Sequence, residues 1–325
     1  MSQTVHIQLN FFNDTFVFRR TTIYEMIQVK NLTKYFNDVK AVDELSFSVK
    51  SGEVYGFLGQ NGAGKSTTIR MLLSLITPTS GTIEIFGKEL LRHRKEILSR
   101  TGAIIEKPDL YKYFTALENL QTFAIMSGNR LPEKKLMEQL HKVGLADRAK
   151  SKVKTYSQGM KQRLGIAIAL VHDPELIILD EPINGLDPQG IADVRKLILH
   201  LSRDLGKTIF ISSHLLSEME LVADSMLIID KGKKVAEGKM NELFDPAATI
   251  AELKTTDDQA AFEKLQHLNP ANYTVALKDG CILLQLHRND IPGLVKQLVQ
   301  MEIGVISLNS KHSLEDYFLK LTSGN

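Results

Sequence analysis

The feature that most constrains this chain is a glycine-rich loop that matches the pattern G-x-x-x-x-G-K-[ST]. It follows an apolar run, Val54 to Leu58, that is typical of a buried strand, and it precedes a segment from Lys65 to about Leu75 that is typical of a helix. Glycines let such a loop curl so that its backbone N–H groups point inward, and the start of the helix adds positive potential. The sequence therefore predicts a phosphate-binding loop, Gly59-Gln60-Asn61-Gly62-Ala63-Gly64-Lys65-Ser66.

Individual residues of this loop have predicted roles. Lys65 is expected to reach the β- and γ-phosphates of a nucleotide, and Ser66 is expected to ligate Mg²⁺. Thr67, the next residue, and the backbone of the loop complete the predicted phosphate contacts. The alternative is a glycine-rich turn that simply precedes a helix. The position between a predicted strand and a predicted helix favours the nucleotide-binding interpretation.

Two acids follow a second apolar run, Leu176-Ile177-Ile178-Leu179. Such a run is typical of a buried parallel strand that delivers the acids at its carboxyl end. Asp180 is predicted to lie beside Mg²⁺ through a water, and Glu181 to orient the attacking water and accept its proton. Alone, two acids that end a strand and cap a helix would be the simpler interpretation. Together with the glycine-rich loop they indicate a site that hydrolyses ATP.

From about Met26 to Gly238 the sequence resembles the ABC ATPase family. The segment Tyr156-Ser157-Gln158-Gly159-Met160 stands where that family carries its signature, ahead of a predicted helix. A serine at a helix N-cap with a glycine beside it offers a hydroxyl and N–H groups to an anion. In the family that anion is the γ-phosphate bound to the opposite protomer, so the resemblance implies a dimer that encloses two ATP molecules. Ser157 and Gly159 are the implied contacts, although Gln158 and Met160 depart from the commonest signature.

The resemblance implies roles for three further residues. Gly185-Leu186-Asp187 matches the D-loop, which communicates across the dimer, and Asp187 is its acid. His214 follows a predicted strand where the family has the switch histidine that contacts the γ-phosphate. Phe36 stands at the family's aromatic position and is implied to stack on adenine. Tyr35 is the alternative if the alignment is offset by one residue, and either ring can instead belong to the core.

One position departs from the family's usual residue. Where the family has a glutamine that contacts Mg²⁺ and the attacking water, this chain has Glu106. A carboxylate still offers oxygen to a metal, but it adds negative charge beside a polyphosphate. In the family the loop that carries this residue also touches a membrane permease, so we expect slower hydrolysis or a tighter dependence of hydrolysis on that permease. The segments Glu106 to Tyr111 and Ser313 to Leu319 are similar to the exporters that protect bacteria against bacitracin and lantibiotics.

The element order and the resemblance together predict an α/β fold. We expect a P-loop NTPase core of the RecA-like type, with a helical signature subdomain, an antiparallel β edge and a small C-terminal α/β extension. Residues 26–240 are predicted as the nucleotide-binding domain and residues 241–325 as the C-terminal domain, in which Thr249 to Leu268 is expected to be helical. Residues 1–25 are an N-terminal extension, for which an upstream mis-start is one hypothesis.

Composition excludes several classes of function. A formal net charge of +2 is too small a basic excess for nucleic acid to be the main partner. The single cysteine, Cys281, excludes an internal disulfide and a multi-cysteine metal site. The longest apolar stretches fall short of the ~18 to 20 residues that span a bilayer. The chain is therefore not expected to cross a membrane by itself, and the resemblance implies a cytoplasmic subunit that is peripheral on the inner face of the cell membrane, bound to a separately encoded permease.

The motifs and the resemblance together predict the ATP-hydrolysing subunit of an ABC transporter, with ATP and Mg²⁺ as cofactors. The resemblance further implies that the transporter exports a peptide antibiotic or a similar amphiphile. One alternative is a soluble ABC protein of translation or DNA repair. Such proteins carry two cassettes in one chain or a long coiled coil before the signature, and neither is present here. A second alternative, a regulatory module that binds ATP without hydrolysis, is disfavoured by Glu181 and His214.

Overall fold

The computed structural model describes residues 5–7, 11–12, 15–16, 20–22, 24–243, 249–267, 274–278, 281–286 and 290–312, so the segment Ser313 to Leu319 and most of residues 1–25 lie outside the described part. The chain divides into two compact units, Met1–Gly238 and Lys239–Asn325. The strands are β1 (Val5–Ile7), β2 (Phe11–Phe12), β3 (Thr15–Phe16), β4 (Arg20–Thr22), β5 (Glu25–Phe36), β6 (Val39–Lys50), β7 (Val54–Gly59), β8 (Ser80–Ile85), β9 (Lys88–Glu89), β10 (Thr101–Ile104), β11 (Leu176–Asp180), β12 (Thr208–Ser213), β13 (Ser225–Asp230), β14 (Lys233–Lys239), β15 (Thr249–Thr255), β16 (Thr274–Lys278), β17 (Cys281–Leu286) and β18 (Val305–His312). The α-helices are α1 (Lys65–Leu72), α2 (Arg94–Ser99), α3 (Ala116–Met126), α4 (Glu133–Lys142), α5 (Gln158–Ala169), α6 (Pro188–Leu199), α7 (Leu216–Glu220), α8 (Met240–Leu243), α9 (Asp258–His267) and α10 (Ile291–Gln300).

A six-stranded sheet in the order β10-β11-β12-β7-β13-β14 forms the centre of the first unit. The four pairs β10–β11, β11–β12, β12–β7 and β7–β13 are parallel. Every residue of β7, β11 and β12 is buried, as expected for parallel strands that are covered on both faces. Because parallel strands present their carboxyl ends at one edge, the segments that follow β7, β11 and β12 meet there.

A second, antiparallel sheet has the order β6-β5-β8-β9. Ile27 and Val29 of β5 pair with Val49 and Phe47 of β6, and all four side chains are buried. This alternation of buried and solvated residues is the reason that the sequence predicted strands here. The antiparallel β edge expected from the sequence is confirmed.

Aromatic side chains join the two sheets of the first unit. Phe47 of the antiparallel sheet lies with its ring centroid 5.9 Å from that of Tyr55 and 6.0 Å from that of Phe57, both on β7. Phe210 of β12 completes the cluster at 5.3 Å from Phe57. Such ring pairs contribute ~0.5–1.5 kcal/mol each beyond the burial of their area. The cluster therefore fixes β7 and β12, which carry the site, against the rest of the core.

Three helices, α3, α4 and α5, pack on one another as the helical subdomain. Helix α3 begins with a capping box, in which Thr115 accepts a hydrogen bond from the backbone N–H of Glu118 and the Glu118 side chain accepts from that of Thr115. Helix α5 begins after Ser157, whose Oγ accepts from the backbone N–H of Met160 at 3.2 Å. The predicted N-cap of the signature helix is thus formed.

In its described residues the second unit has the element order α8, β15, α9, β16, β17, α10, β18, with an antiparallel sheet in the order β16-β17-β15-β18. The expectation of a helix from Thr249 to Leu268 is wrong in its first part, because Thr249–Thr255 is a strand of that sheet. Ala251, Leu253 and Thr255 are buried, whereas Lys254 and Thr256 are exposed, and this alternation has the period of a strand. Helix α9 begins only at Asp258.

Candidate functional site

The glycine-rich loop connects β7 to α1 and depends on glycine at two positions. Gly62 and Gly64 have φ values of +84° and +104°, in the region that favours glycine. A Cβ atom on Gly64 would lie 2.6 Å from the backbone oxygen of Ala41, so any side chain there would also clash. These constraints allow the loop to curl back on itself before α1 begins at Lys65.

Lys65 is folded into the loop and is only 6% exposed. Its Nζ donates to the backbone oxygen of Gly59 at 2.6 Å and to that of Gln60 at 3.2 Å. The same Nζ lies 3.3 Å from Oε1 of Glu181. A buried ammonium group with these partners is positioned for an anion that enters the loop.

Asp180 ends β11 and is 1% exposed. Its Oδ2 accepts from Oγ of Ser66 at 3.1 Å, and its Oδ1 accepts from Oγ of Ser212 at 2.6 Å. Within the described part of the chain Asp180 forms no ion pair, so this buried carboxylate is held by hydroxyl groups alone. A hydroxyl and a carboxylate side by side are the hard oxygen ligands that Mg²⁺ takes together with phosphate oxygens, and the residues present therefore fit that ion.

Glu181 links the acids to the neighbouring strand and to the loop. It has a φ of +48°, which is uncommon for a residue with a side chain. Its backbone N–H donates to Oγ of Ser212 at 3.0 Å, and its Oε2 lies 2.8 Å from Nδ1 of His214. Since Oε1 faces Lys65, the carboxylate connects a cation of the loop to a histidine that follows β12.

A cleft of about 220 Å³ opens over the loop. Glu181 and the predicted loop residues Ser66 and Thr67 share its wall. Its remaining lining residues are Ala41, Gln60, Asn61, Gly62, Gly64, Lys65 and Asn184.

The signature segment and the D-loop lie at the starts of two helices that touch. Gly159 in α5 and Gly190 in α6 approach so closely that a Cβ on Gly159 would lie 3.2 Å from Cα of Gly190. Asp187 is the N-cap residue of α6 and makes no capping hydrogen bond through its side chain. The hydroxyl of Ser157 accepts from its own helix, as described above.

Two predicted site residues lie at the exposed margin. The Phe36 side chain is 46% exposed, with Nζ of Lys34 5.1 Å from its ring centroid, while Tyr35 is 41% exposed. Glu106 has a φ of +60°, and its Oε1 lies 2.8 Å from Nη2 of Arg70 in α1. Neither aromatic ring belongs to the core, which removes that alternative for both. The ion pair of Glu106 with Arg70 was not anticipated.

Ser212 and Arg70 are the residues that sequence reasoning missed. Ser212 ends the apolar run of β12, next to Asp180 in the strand register. Its signal was the change from apolar to polar residues at the end of a buried strand, because such ends meet at one edge of a parallel sheet. No pattern in the sequence pointed to Arg70, since its contact with Glu106 spans 36 positions and depends on the tertiary fold.

Comparison with known proteins agrees with this geometry. A family model described as ABC transporter matches residues 42–184. The chain is 46% identical over 301 residues to the bacitracin transport ATP-binding protein BcrA of Bacillus licheniformis, which covers 92% of this chain and 98% of that protein. It is 41% identical over 239 residues to the lantibiotic transport ATP-binding protein SrtF of Streptococcus pyogenes, which covers 74% of this chain and 99% of that protein.

A solved structure gives the same result. The dimeric, post-hydrolysis state of an ATP-binding cassette bound to ADP and Pi matches with a TM-score of 0.59 and 25% identity, over 66% of this chain and 99% of that chain. The fold and the loop with its acids therefore define a P-loop ATPase. The chain belongs to the ABC transporter ATP-binding family and is the ATP-binding and ATP-hydrolysing subunit of such a transporter. The predicted resemblance to the bacitracin and lantibiotic branch is confirmed.

The matching cassette of known structure is a dimer. Across the residues that the structure describes, no helix has both the length and the apolar character needed to cross a bilayer.

Proposed function

We propose that this chain powers the export of a peptide antibiotic or a similar amphiphile through a separate membrane permease. The observation that carries the chemical part is the contact of Glu181 with both Lys65 and His214, beside the phosphate-binding loop. The names of the relatives, which are bacitracin and lantibiotic transport proteins, support the class of substrate. In this proposal the permease anchors the protein to the cytoplasmic face of the membrane. The protein has no nucleic-acid partner.

Lys65, Glu181 and His214 have separate roles in the proposed hydrolysis of ATP. Lys65 transfers its hydrogen bonds from the loop carbonyls to the β- and γ-phosphates of ATP. Glu181 orients the attacking water and accepts its proton as the water oxygen bonds to the γ-phosphorus and the bond to the β-phosphate oxygen breaks. His214 holds the Glu181 carboxylate and contacts the γ-phosphate. The products are ADP and inorganic phosphate.

Mg²⁺ enters as the second cofactor. Ser66 and Asp180 would hold it, and the ion would neutralise negative charge on the phosphates. Glu106 is the third group assigned to the metal. Because Oε1 of its carboxylate is paired with Arg70, Arg70 would compete with a metal ion for this group.

The other predicted residues belong to nucleotide recognition and to the dimer. Phe36 stacks on adenine at the exposed margin. The exposure of its ring favours this role over a place in the hydrophobic core. Ser157 and Gly159 of one chain meet the nucleotide of the opposite chain, and Asp187 communicates between them. We assign these functions to residues 26–240 as the nucleotide-binding domain, with 1–25 as an extension and 241–325 as a separate C-terminal domain.

The experiment that tests the partner is affinity purification of the tagged chain from mild-detergent extracts of its native cells. We expect a polytopic membrane protein to co-purify. Recovery of ribosomes or of DNA-bound complexes instead would contradict the transporter role and leave the ATPase chemistry intact. A purification of the tagged chain from cells that lack the recovered permease gene is the matched control.

The experiment that tests the substrate class is a survival assay with bacitracin and with a lantibiotic. Deletion of the gene should sensitise the native cells to at least one of these compounds. The wild-type gene should restore resistance, whereas a Glu181→Gln gene should not. Unchanged sensitivity to both compounds after deletion would contradict the peptide-antibiotic assignment.

A further inference from the structure

We propose that Ser212 is a positioning residue for ATP hydrolysis, because its one hydroxyl group orients both acids at the end of β11. The proposal rests on the roles proposed above for Asp180 and Glu181. Ser212 is fully buried and is the Cα partner of Asp180 in the parallel pair of β11 and β12. The register of the sheet therefore fixes its hydroxyl beside the acids.

The direction of the hydrogen bonds that Ser212 forms with Glu181 and with Asp180 follows from which of the atoms can donate and which can only accept. A backbone N–H can only donate, so the Ser212 Oγ must accept from Glu181 at 3.0 Å. The serine proton is then committed to Oδ1 of Asp180 at 2.6 Å, since a carboxylate oxygen only accepts. A distance of 2.6 Å lies in the range of charge-assisted O–H···O⁻ bonds, which are about twice as strong as neutral ones.

The first consequence concerns Asp180. With Oδ1 held by Ser212, its Oδ2 is the oxygen that faces Ser66. The carboxylate is 1% exposed, so water cannot easily replace a lost donor. Removal of the Ser212 hydroxyl would free the carboxylate to rotate and would weaken the pair of oxygen ligands that fits Mg²⁺.

The second consequence concerns Glu181. Its φ of +48° costs energy for a residue with a side chain and persists only where neighbouring groups hold it. The hydrogen bond from its N–H to Ser212 is one such restraint. In this conformation the Glu181 carboxylate reaches Lys65 at 3.3 Å and His214 at 2.8 Å. Loss of the restraint would misplace the proposed base without touching the base itself.

The next residue shows that this arrangement is specific. Ser213 is also fully buried, but its Oγ accepts from the backbone N–H of Leu215 at 3.0 Å and so supports the turn that carries His214. Adjacent residues of a strand point to opposite faces. Ser212 alone of this pair faces the acids.

The test compares Ser212→Ala and Ser212→Thr with the wild type in the full-length chain. Ser202→Ala is the matched control, since Ser202 is also buried but donates to the backbone oxygen of Gly52 at 3.0 Å. The readouts are kcat and KM for ATP, the Mg²⁺ concentration for half-maximal turnover, ATP affinity measured in EDTA, and the thermal midpoint.

We expect Ser212→Ala to lower kcat by about 10- to 100-fold and to raise the required Mg²⁺ concentration, as is typical of residues that orient a metal ligand. ATP affinity in EDTA should stay unchanged, because the phosphate-binding loop is intact. Ser212→Thr should recover most of the turnover, since it restores the hydroxyl. Ser202→Ala should keep the wild-type kcat and Mg²⁺ requirement.

Wild-type kcat and Mg²⁺ requirement in a folded Ser212→Ala protein would overturn the proposal. Equal loss of kcat in the Ala and Thr variants, both folded, would also overturn it, because the hydroxyl would then not matter. If Ser212→Ala does not fold, Ser212→Cys replaces it, since a thiol fills the space but is a weak donor. Wild-type turnover by Ser212→Cys would overturn the proposal. Failure of the underlying roles has a different signature, which is normal turnover by Glu181→Gln.

Discussion

Two neighbouring strands of the parallel sheet deliver acids to the same edge of the molecule, but the two acids are held in different ways. Asp180, which ends β11, is 1% exposed and is held by the hydroxyls of Ser66 and Ser212. Glu106, two residues after β10, has a side chain that is 65% exposed and pairs with Arg70, which is 45% exposed. An exposed ion pair contributes ~0–1 kcal/mol, whereas a buried carboxylate that loses its partners costs far more. The end of β11 is therefore fixed, and the segment after β10 can exchange partners.

Substitutions in the buried part are therefore expected to have severe effects, and substitutions at the exposed margin are expected to have graded effects. Those in the buried part depend on one another through direct contacts, so one change disturbs several. Those at the exposed margin contact the solvent, so a lost contact is largely replaced by water.

The largest effect is expected for Glu181→Gln in the buried part. The amide cannot accept the proton of the attacking water, so kcat for ATP should fall by about 10²- to 10⁴-fold. ATP should still bind, because the loop and Lys65 are intact, and the ATP-bound dimer should accumulate. Phosphate release and size-exclusion chromatography with ATP measure the two effects.

Glu175→Gln is the matched control for that substitution. Glu175 precedes β11 at its opposite end and pairs with Arg100 on the surface. The control should hydrolyse ATP at the wild-type rate. Normal phosphate release by Glu181→Gln would remove Glu181 from its role as base, and the buried part would then not hold the catalytic base.

A smaller but still large effect is expected for His214→Ala. Its Nδ1 lies 2.8 Å from Oε2 of Glu181, and its ring is 29% exposed. Loss of a group that orients a catalytic partner typically costs about 10- to 100-fold in turnover. Steady-state ATPase assays measure the loss.

The control for the histidine is His200→Ala, which removes an exposed histidine that pairs with Asp204. It should leave kcat unchanged. If His214→Ala kept full activity, the contact with Glu181 would be structural only.

The difference between fixed and exposed parts also explains what the sequence could predict. The loop was predictable because its contacts are local and the glycines are required by backbone geometry at Gly62 and Gly64. The acids were predictable because a buried strand ends at them. The role of Ser212 was not, because its contact with Asp180 spans 32 positions and depends on strand register.

Outside the site, the sequence failed where two elements follow each other without a break. Thr249–Thr255 and Asp258–His267 are a strand and a helix, separated by two residues, and were read as one helix. The alternation of Ala251 and Leu253 is too short to predict a strand by itself. These residues form a strand because β15 pairs with β17 on one side and β18 on the other, and the local sequence does not contain this tertiary information.

A moderate effect is expected for Phe36→Ala at the exposed margin. Stacking on a base contributes ~1–3 kcal/mol, and a ring that is 46% exposed should give the lower value, a loss of about 5-fold in ATP affinity. The effect should appear in KM and in nucleotide binding, with kcat retained. Tyr35→Ala is the comparison variant. A larger loss for Tyr35→Ala would shift the adenine contact by one residue.

The smallest effect is expected for Glu106→Gln. The substitution removes a negative charge beside the polyphosphate and opens the ion pair with Arg70, so basal ATP turnover should rise by about 2- to 5-fold, in line with the ~0–1 kcal/mol of an exposed pair. The gain should shrink as the salt concentration rises, since salt screens exposed charges. Glu96→Gln, which opens the comparably exposed pair with Lys88, is the control and should leave turnover unchanged.

Arg70→Gln decides whether Arg70 is the restraint on Glu106. In the wild-type background the substitution frees the carboxylate, and we expect it to change turnover. In the Glu106→Gln background it should have no further effect, because two residues that act through one contact are not additive. Additive effects would place Arg70 and Glu106 in separate roles. A Glu106→Gln protein slower than the wild type would instead show that the carboxylate assists hydrolysis, and the exposed acid would then belong functionally with the buried ones.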